Sequence, residues 1–172
     1  MTYKTNILIY GYGNPGRQDD GLAKMLIDKA EAWVEKKRFK NVSLDVNYQL
    51  QVEDITDMYD KDLVIFADAS MEENVEDFLI TPLTANDQAT FSMHAVAPAY
   101  LLALCQKIYG LHPLSYLLHI RGYEWNLNEE ITPEALQNLD KAWETLQLIL
   151  NEPELFLEKP GLFQSQKSLY HT

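Results

Sequence analysis

The sequence predicts an α/β sandwich built on a mostly parallel sheet. Two apolar runs of strand length support it: 6–12 (NILIYGY), closed by glycine, and 63–69 (LVIFADA), closed by a carboxylate. Between and after them come segments with apolar residues at three- and four-residue steps, the mark of helices packed on a sheet. The resulting order, βαβ(α)ββαβα, calls for parallel strands joined by crossover helices.

Taken in order, 6–12 is a buried first strand. The segment 19–37 is a helix with Leu22, Met25, Leu26, Ala30 and Trp33 on one face. A second strand over 42–48 and a short helix over 53–58 precede the central strand 63–69. The segment 76–82 is a fourth strand, and its short connection from Asp68 sets it antiparallel at an edge. An apolar helix is expected over 94–109, stopped by Gly110. A fifth strand spans 115–122. The last helix covers 132–150, with Thr132 as N-cap and Pro133 at its first position. Pro153 is expected to end regular structure, so that 1–152 form one domain and 153–172 a C-terminal tail that straps the surface or moves. Leu155, Phe156, Leu162 and Phe163 in the tail could cover an apolar patch or support a dimer; monomer and homodimer both stand.

The chain has 172 residues, 47% hydrophobic and 23% charged, and suits a single folded domain. A formal charge of -12 argues against nucleic acid as partner, since phosphate backbones need a basic face. The Lys36-Lys37-Arg38 run falls at a helix end, where it complements the helix dipole. The lone cysteine, Cys105, lies in an apolar helical stretch and is expected to pack as a small hydrophobe; together with the absence of a secretory signal it fits a cytoplasmic protein. No run reaches the ~20 apolar residues of a membrane span.

Gly11-Tyr12-Gly13-Asn14-Pro15-Gly16 fits the G-x-G-x-x-G pattern between a strand and a helix, so a dinucleotide-binding reading stands as an alternative. Asp19 and Asp20 oppose it, because carboxylates at the helix start would take the backbone N–H groups that pyrophosphate needs. Asp19 is expected to cap the helix, which frees Asp20 to face the crevice above the sheet.

Asp20, Asp68 and His94 all map to the carboxyl ends of the strands, where sites in open α/β sheets gather. Singly, Asp68 can cap the turn at Ala69-Ser70, and His94 can bond a carbonyl at a helix start. Together they form an oxygen, oxygen, nitrogen set that suits a borderline divalent ion such as Ni²⁺ or Zn²⁺. His112, His119 and His171 lack comparable partners, and His119 reads as packing or support behind the site. H-E-x-x-H and G-x-S-x-G are absent, which disfavours standard zinc and serine protease chemistry.

These motifs resemble the hydrogenase maturation endopeptidases, which trim the C-terminal extension from the large subunit of nickel–iron hydrogenases. Ile7-Leu8-Ile9-Tyr10-Gly11-Tyr12-Gly13-Asn14 followed by Asp19-Asp20-Gly21 is similar to the family's strand, G-x-G-N turn and acidic pair. Val64-Ile65-Phe66-Ala67-Asp68-Ala69 is similar to its strand ending in Asp-Ala. Ser92-Met93-His94 and Ile120-Arg121-Gly122-Tyr123-Glu124 supply two further matches, so the resemblance spans about 6–150.

The resemblance implies a three-layer αβα sandwich of phosphorylase/hydrolase-like type around a five-stranded sheet. It implies an aspartic-type endopeptidase in which Asp20, Asp68 and His94 read nickel carried by the substrate, other divalent ions being able to substitute. The partner would be the large-subunit precursor. Many relatives carry Asp-Gly-Gly after the second strand, where this chain has Asn47-Tyr48-Gln49-Leu50. Asn14, Asn47, Tyr48 and Gln49 are therefore the candidate substrate-loop residues. A non-catalytic scaffold that binds the precursor through the same crevice is a further alternative.

Overall fold

A computed structural model describes residues 4–89 and 96–164. Five strands form one sheet: β1 (Ile7–Tyr12), β2 (Val42–Asn47), β3 (Leu63–Ser70), β4 (Phe78–Pro82) and β5 (Leu114–Arg121), in the order β2-β1-β3-β5-β4. The first four in that order run parallel and β4 is antiparallel to β5, as its short connection predicted. Five helices accompany them: α1 (Leu22–Lys37), α2 (Ile55–Met58), α3 (Pro98–Tyr109), α4 (Pro133–Asn151) and α5 (Pro153–Glu158).

Strand alternation sorts the core into two halves. Ile7, Ile9, Ile65 and Leu118 point to one face and meet Leu22 and Leu26 of α1 and Leu139 and Leu146 of α4. Leu8, Tyr10, Val64 and Phe66 point to the other and meet Met58 of α2 and Leu101 and Cys105 of α3. The three layers are thus α1/α4/α5, sheet and α2/α3. Cys105 is fully buried and burial pushes its thiol pKa up, which fits packing rather than nucleophilic duty. Among the described residues, no helix is long and apolar enough to cross a membrane.

Helix ends follow local chemistry. The Thr132 hydroxyl accepts the Ala135 N–H at 3.3 Å and Pro133 opens α4. Gly110 closes α3 at φ 66°, and Lys36 and Lys37 lie in the last turn of α1.

Two expectations need correction. The apolar helix begins at Pro98, and Val96 and Ala97 lie outside it. Proline drives the residue before it into extended geometry, and Ala97 sits at φ -76°, ψ 145°, so no α-helix continues through that step. Pro153 does not end regular structure either. It is the first residue of α5, a position that tolerates proline because the N–H is unpaired there anyway. Phe156 of α5 is fully buried, with ring centroids 4.8 Å from Tyr116 and 5.3 Å from Phe163. Beyond it, the Gln164 carboxamide accepts the Ile80 N–H at 3.1 Å and donates to the Ile80 carbonyl, covering the outer edge of β4.

The segment 153–164 is therefore part of the core. Phe156→Ala should lower unfolding free energy by about 3–5 kcal/mol, the usual loss for emptying a buried phenylalanine site. Urea denaturation measures it. A change under about 1 kcal/mol would show that α5 packs only superficially.

Candidate functional site

The chain leaves β1 toward β2 on one side and returns to β3 on the other, so the strand order reverses between β1 and β3. A crevice opens at such a switch point, outside the carboxyl ends of the two strands. Asp20 follows β1 and Asp68 lies near the end of β3, so both stand at this rim. Their charges are close enough to interact.

The glycine loop after β1 is closed by its own neighbours. Gly13 N–H donates to the Asn47 carbonyl at 3.1 Å and Arg17 N–H to the Asn14 carbonyl at 3.0 Å. Asn14 N–H donates to Asp20 Oδ2 at 2.8 Å, and Gly16 N–H to Asn14 Oδ1 at 2.9 Å. Gly13 has φ 144°, and a Cβ there would sit 2.3 Å from the Asp20 carbonyl oxygen, so only glycine fits. Gly11 serves packing instead, since a Cβ would come within 2.8 Å of Ile27 in α1.

Asp20 belongs to a 3-10 turn, Gln18–Gly21, that precedes α1. Its neighbour Asp19 was expected to cap this helix and does not. Neither the turn nor α1 has a side-chain cap. Asp19 is fully buried and its carboxylate reaches across the fold to the connection between β5 and α4. Its Oδ2 accepts Tyr123 N–H at 2.7 Å, Glu124 N–H at 3.1 Å and the Thr132 hydroxyl at 2.8 Å, and Oδ1 accepts Thr132 N–H at 2.7 Å. Gln18, at φ 47°, reinforces the tie by donating to Glu124 Oε2 at 2.8 Å and accepting Asn126 N–H at 3.1 Å.

Asp68 does not sit at a turn. β3 continues through Ala69 and Ser70, which pair with Ile120 and Arg121. Its carboxyl pKa is pushed up to about 7, first by burial and then by the charge of Asp20. Hydrogen bonds from the Tyr12 hydroxyl and Ala69 N–H oppose that rise. The Tyr12 hydroxyl is driven well above its ordinary range by burial and by Asp68.

His94, Ser92 and Met93 lie outside the described residues, as does His171. Among the described residues, no three His, Cys, Asp or Glu side chains converge as a metal-binding set. His119 pairs with Asp68 across the β3–β5 ladder and its Nε2 lies 3.1 Å from the Thr81 hydroxyl, while burial lowers its pKa. That fits the packing its alternation suggested. His112 is exposed beside Pro113.

Of the loop candidates, Asn14 and Asn47 brace the glycine loop through their backbones, and Asn47 Oδ1 accepts Tyr48 N–H at 2.8 Å. Tyr48 and Gln49 are exposed beside them, and the buried Leu50 anchors the loop, its carbonyl accepting Val96 N–H at 3.4 Å. Tyr12 and Gln18 were not singled out from the sequence. Strand alternation held the signal for Tyr12, which shares its face with Tyr10.

Asp19 and Asp68 should respond oppositely to neutralisation. Asp19→Ala strands the buried Thr132 N–H and hydroxyl together with the part-buried N–H groups of Tyr123 and Glu124, and should cost about 3 kcal/mol or more. Asp68→Asn should instead stabilise. Because the folded pKa of Asp68 is raised, its contribution is fully present below the unfolded value, about 4, and lost as pH rises through about 7. The variant should therefore match wild type near pH 4 and exceed it by on the order of 4 kcal/mol above pH 7, about 1.4 kcal/mol for each unit of the rise. Thermal melts across that range check this, and a gain that does not grow with pH would contradict the origin given for it.

No protein-family model matches the sequence, and no curated protein matches it. Solved structures do match. A NiFe hydrogenase maturation protease, HycI, from Thermococcus kodakarensis superposes at a TM-score of 0.70 with 21% identity, covering 88% of this chain and 96% of that one. The hydrogenase maturating endopeptidase HybD from E. coli gives 0.66 and 17%, with 87% and 94% covered. A hydrogenase 2 maturation peptidase from a Thaumarchaeota archaeon gives 0.59 and 19%, with 85% and 98% covered. The chain has the fold of these hydrogenase maturation proteases over nearly their whole length.

Proposed function

We propose that the protein is an endopeptidase that removes the C-terminal extension of a nickel–iron hydrogenase large-subunit precursor, reading the nickel already bound there through Asp20, Asp68 and His94. The observation that carries the reading is the pair of opposed carboxylates at the β1/β3 switch point, on a fold shared with hydrogenase maturation proteases.

Two like charges at a partly buried rim are unfavourable alone and become favourable when a cation enters between them. Oxygen donors from Asp20 and Asp68 with an imidazole from His94 leave coordination positions for the ligands that the precursor brings. A precursor without its metal would leave the carboxylates facing each other, so the empty substrate would bind less well. The nickel, as part of the substrate, would polarise the scissile carbonyl or the attacking water. A carboxylate of the site can take the water's proton, which then passes to the leaving amine as the peptide bond breaks. Tyr48 and Gln49, exposed next to the glycine loop, would meet the precursor backbone.

The dinucleotide reading fares worse. The loop N–H groups of Gly13, Asn14, Gly16 and Arg17 are engaged by internal acceptors, one of them the Asp20 carboxylate.

The test is to incubate the protein with nickel-loaded precursor and follow the precursor's mass. Wild type should release the extension, and Asp20→Ala, Asp68→Ala and His94→Ala should each slow release at least about 100-fold, as for loss of a preorganised charged group. Full trimming by the Asp20→Ala/His94→Ala double variant would sink the site. A tight complex that never matures would mark a scaffold instead, and a melting shift with NAD but not nickel would mark a nucleotide protein.

A further inference from the structure

The turn that follows β1 meets both carboxylates. Gly11 pairs with Ala67 in the β1–β3 ladder, so Tyr12 and Asp68 are the next residues outward on adjacent parallel strands, on the same face. Such strands lie about 4.8 Å apart, within reach of a tyrosine side chain. Tyr12 and Asp68 interact there, the hydroxyl favouring the ionised Asp68 carboxylate, while the Tyr12 ring packs on the core formed by Tyr10, Phe66 and Leu101. Two residues on, Asn14 N–H donates to Asp20 Oδ2 at 2.8 Å. Gly13 between them holds φ 144° against the Asp20 backbone, and its N–H is fixed to the Asn47 carbonyl.

We propose that Tyr12-Gly13-Asn14 is a positioning bridge that sets the separation and orientation of the Asp20 and Asp68 carboxylates, with Tyr12 as its residue-specific arm. One end holds Asp68 by a side-chain donor, the other holds Asp20 by a backbone donor, and the glycine fixes the distance between. Mutually repelling carboxylates swing apart unless donors hold them, and a divalent ion binds best to oxygens held in place before it arrives. Tyr12 is a positioning residue that acts through Asp68. The inference deepens the proposed function and rests on that reading for the role of the metal.

Tyr12→Phe tests it, because it removes the hydroxyl and keeps the ring. Four quantities are read on the full chain: Ni²⁺ affinity of the free protein by calorimetry, kcat and KM for the nickel-loaded precursor, and the melting temperature. The expected result is Ni²⁺ affinity and kcat each lowered about 10- to 100-fold, the range for losing a donor behind a metal ligand, with KM within about twofold and the melting temperature held. Wild-type Ni²⁺ affinity in Tyr12→Phe, a loss shared by kcat, KM and melting temperature alike, or no Ni²⁺ uptake by wild type would overturn the bridge. If wild type binds Ni²⁺ and Tyr12→Phe binds it weakly but neither cuts precursor, the bridge stands and the protease reading fails.

Discussion

The Asp19 carboxylate is the constraint on which the site's geometry turns. Four donors from the β5–α4 connection close around it in the interior, which fixes the 3-10 turn Gln18–Gly21 against Tyr123, Glu124 and Thr132. A 3-10 turn advances about 120° per residue. With Asp19 locked inward, its successor is rotated toward the rim, and Asp20 reaches the crevice for that reason. The same connection includes Gly122, where a Cβ would stand 2.9 Å from the Asp19 Cβ, and Thr132, which also caps α4. One buried carboxylate thus joins the entrance of α1, the end of β5 and the start of α4.

Asp68 shows the opposite economy. Burial and the nearby Asp20 both work against its ionised form, and the Tyr12 and Ala69 donors offset only part of that. A chain selected for stability alone would carry a neutral residue here. Carboxyls perturbed in this way cluster at functional sites, where activity is kept at some cost in stability. The adjacent acids 19 and 20 therefore divide the work, one holding the scaffold and the other joining Asp68 at the rim.

Much of the fold was legible because its causes are local. Alternation in β1 and β3, the Thr132-Pro133 start of α4 and the Gly110 stop of α3 all act within a few residues. The missed features have causes farther away or weigh two local signals against each other. Pro98 overrode the apolar periodicity that seemed to extend α3 toward His94. Pro153 looked like a terminator, yet Phe156 finds Tyr116 and Phe163 only in the folded state. Asp19 looked like a cap because its real partners lie more than a hundred positions away. The rim position of Asp20 and Asp68 was readable from their place after β1 and near the end of β3, but the neighbourhood of Tyr12 and Asp68 was not, since it depends on how β1 registers against β3.

The glycine loop itself carries the last step. A G-x-G-x-x-G turn presents backbone N–H groups, and such a nest takes an anion. In a dinucleotide protein that anion is the ligand's pyrophosphate. Here Asn14 N–H is already given to Asp20 Oδ2, so the chain supplies the anion itself. A loop with an open nest draws phosphate, whereas one already filled by an aspartate, with a second carboxylate near it, turns an anion away. The same backbone turn thus loses its anion site, and Asp20 is the residue that closes it.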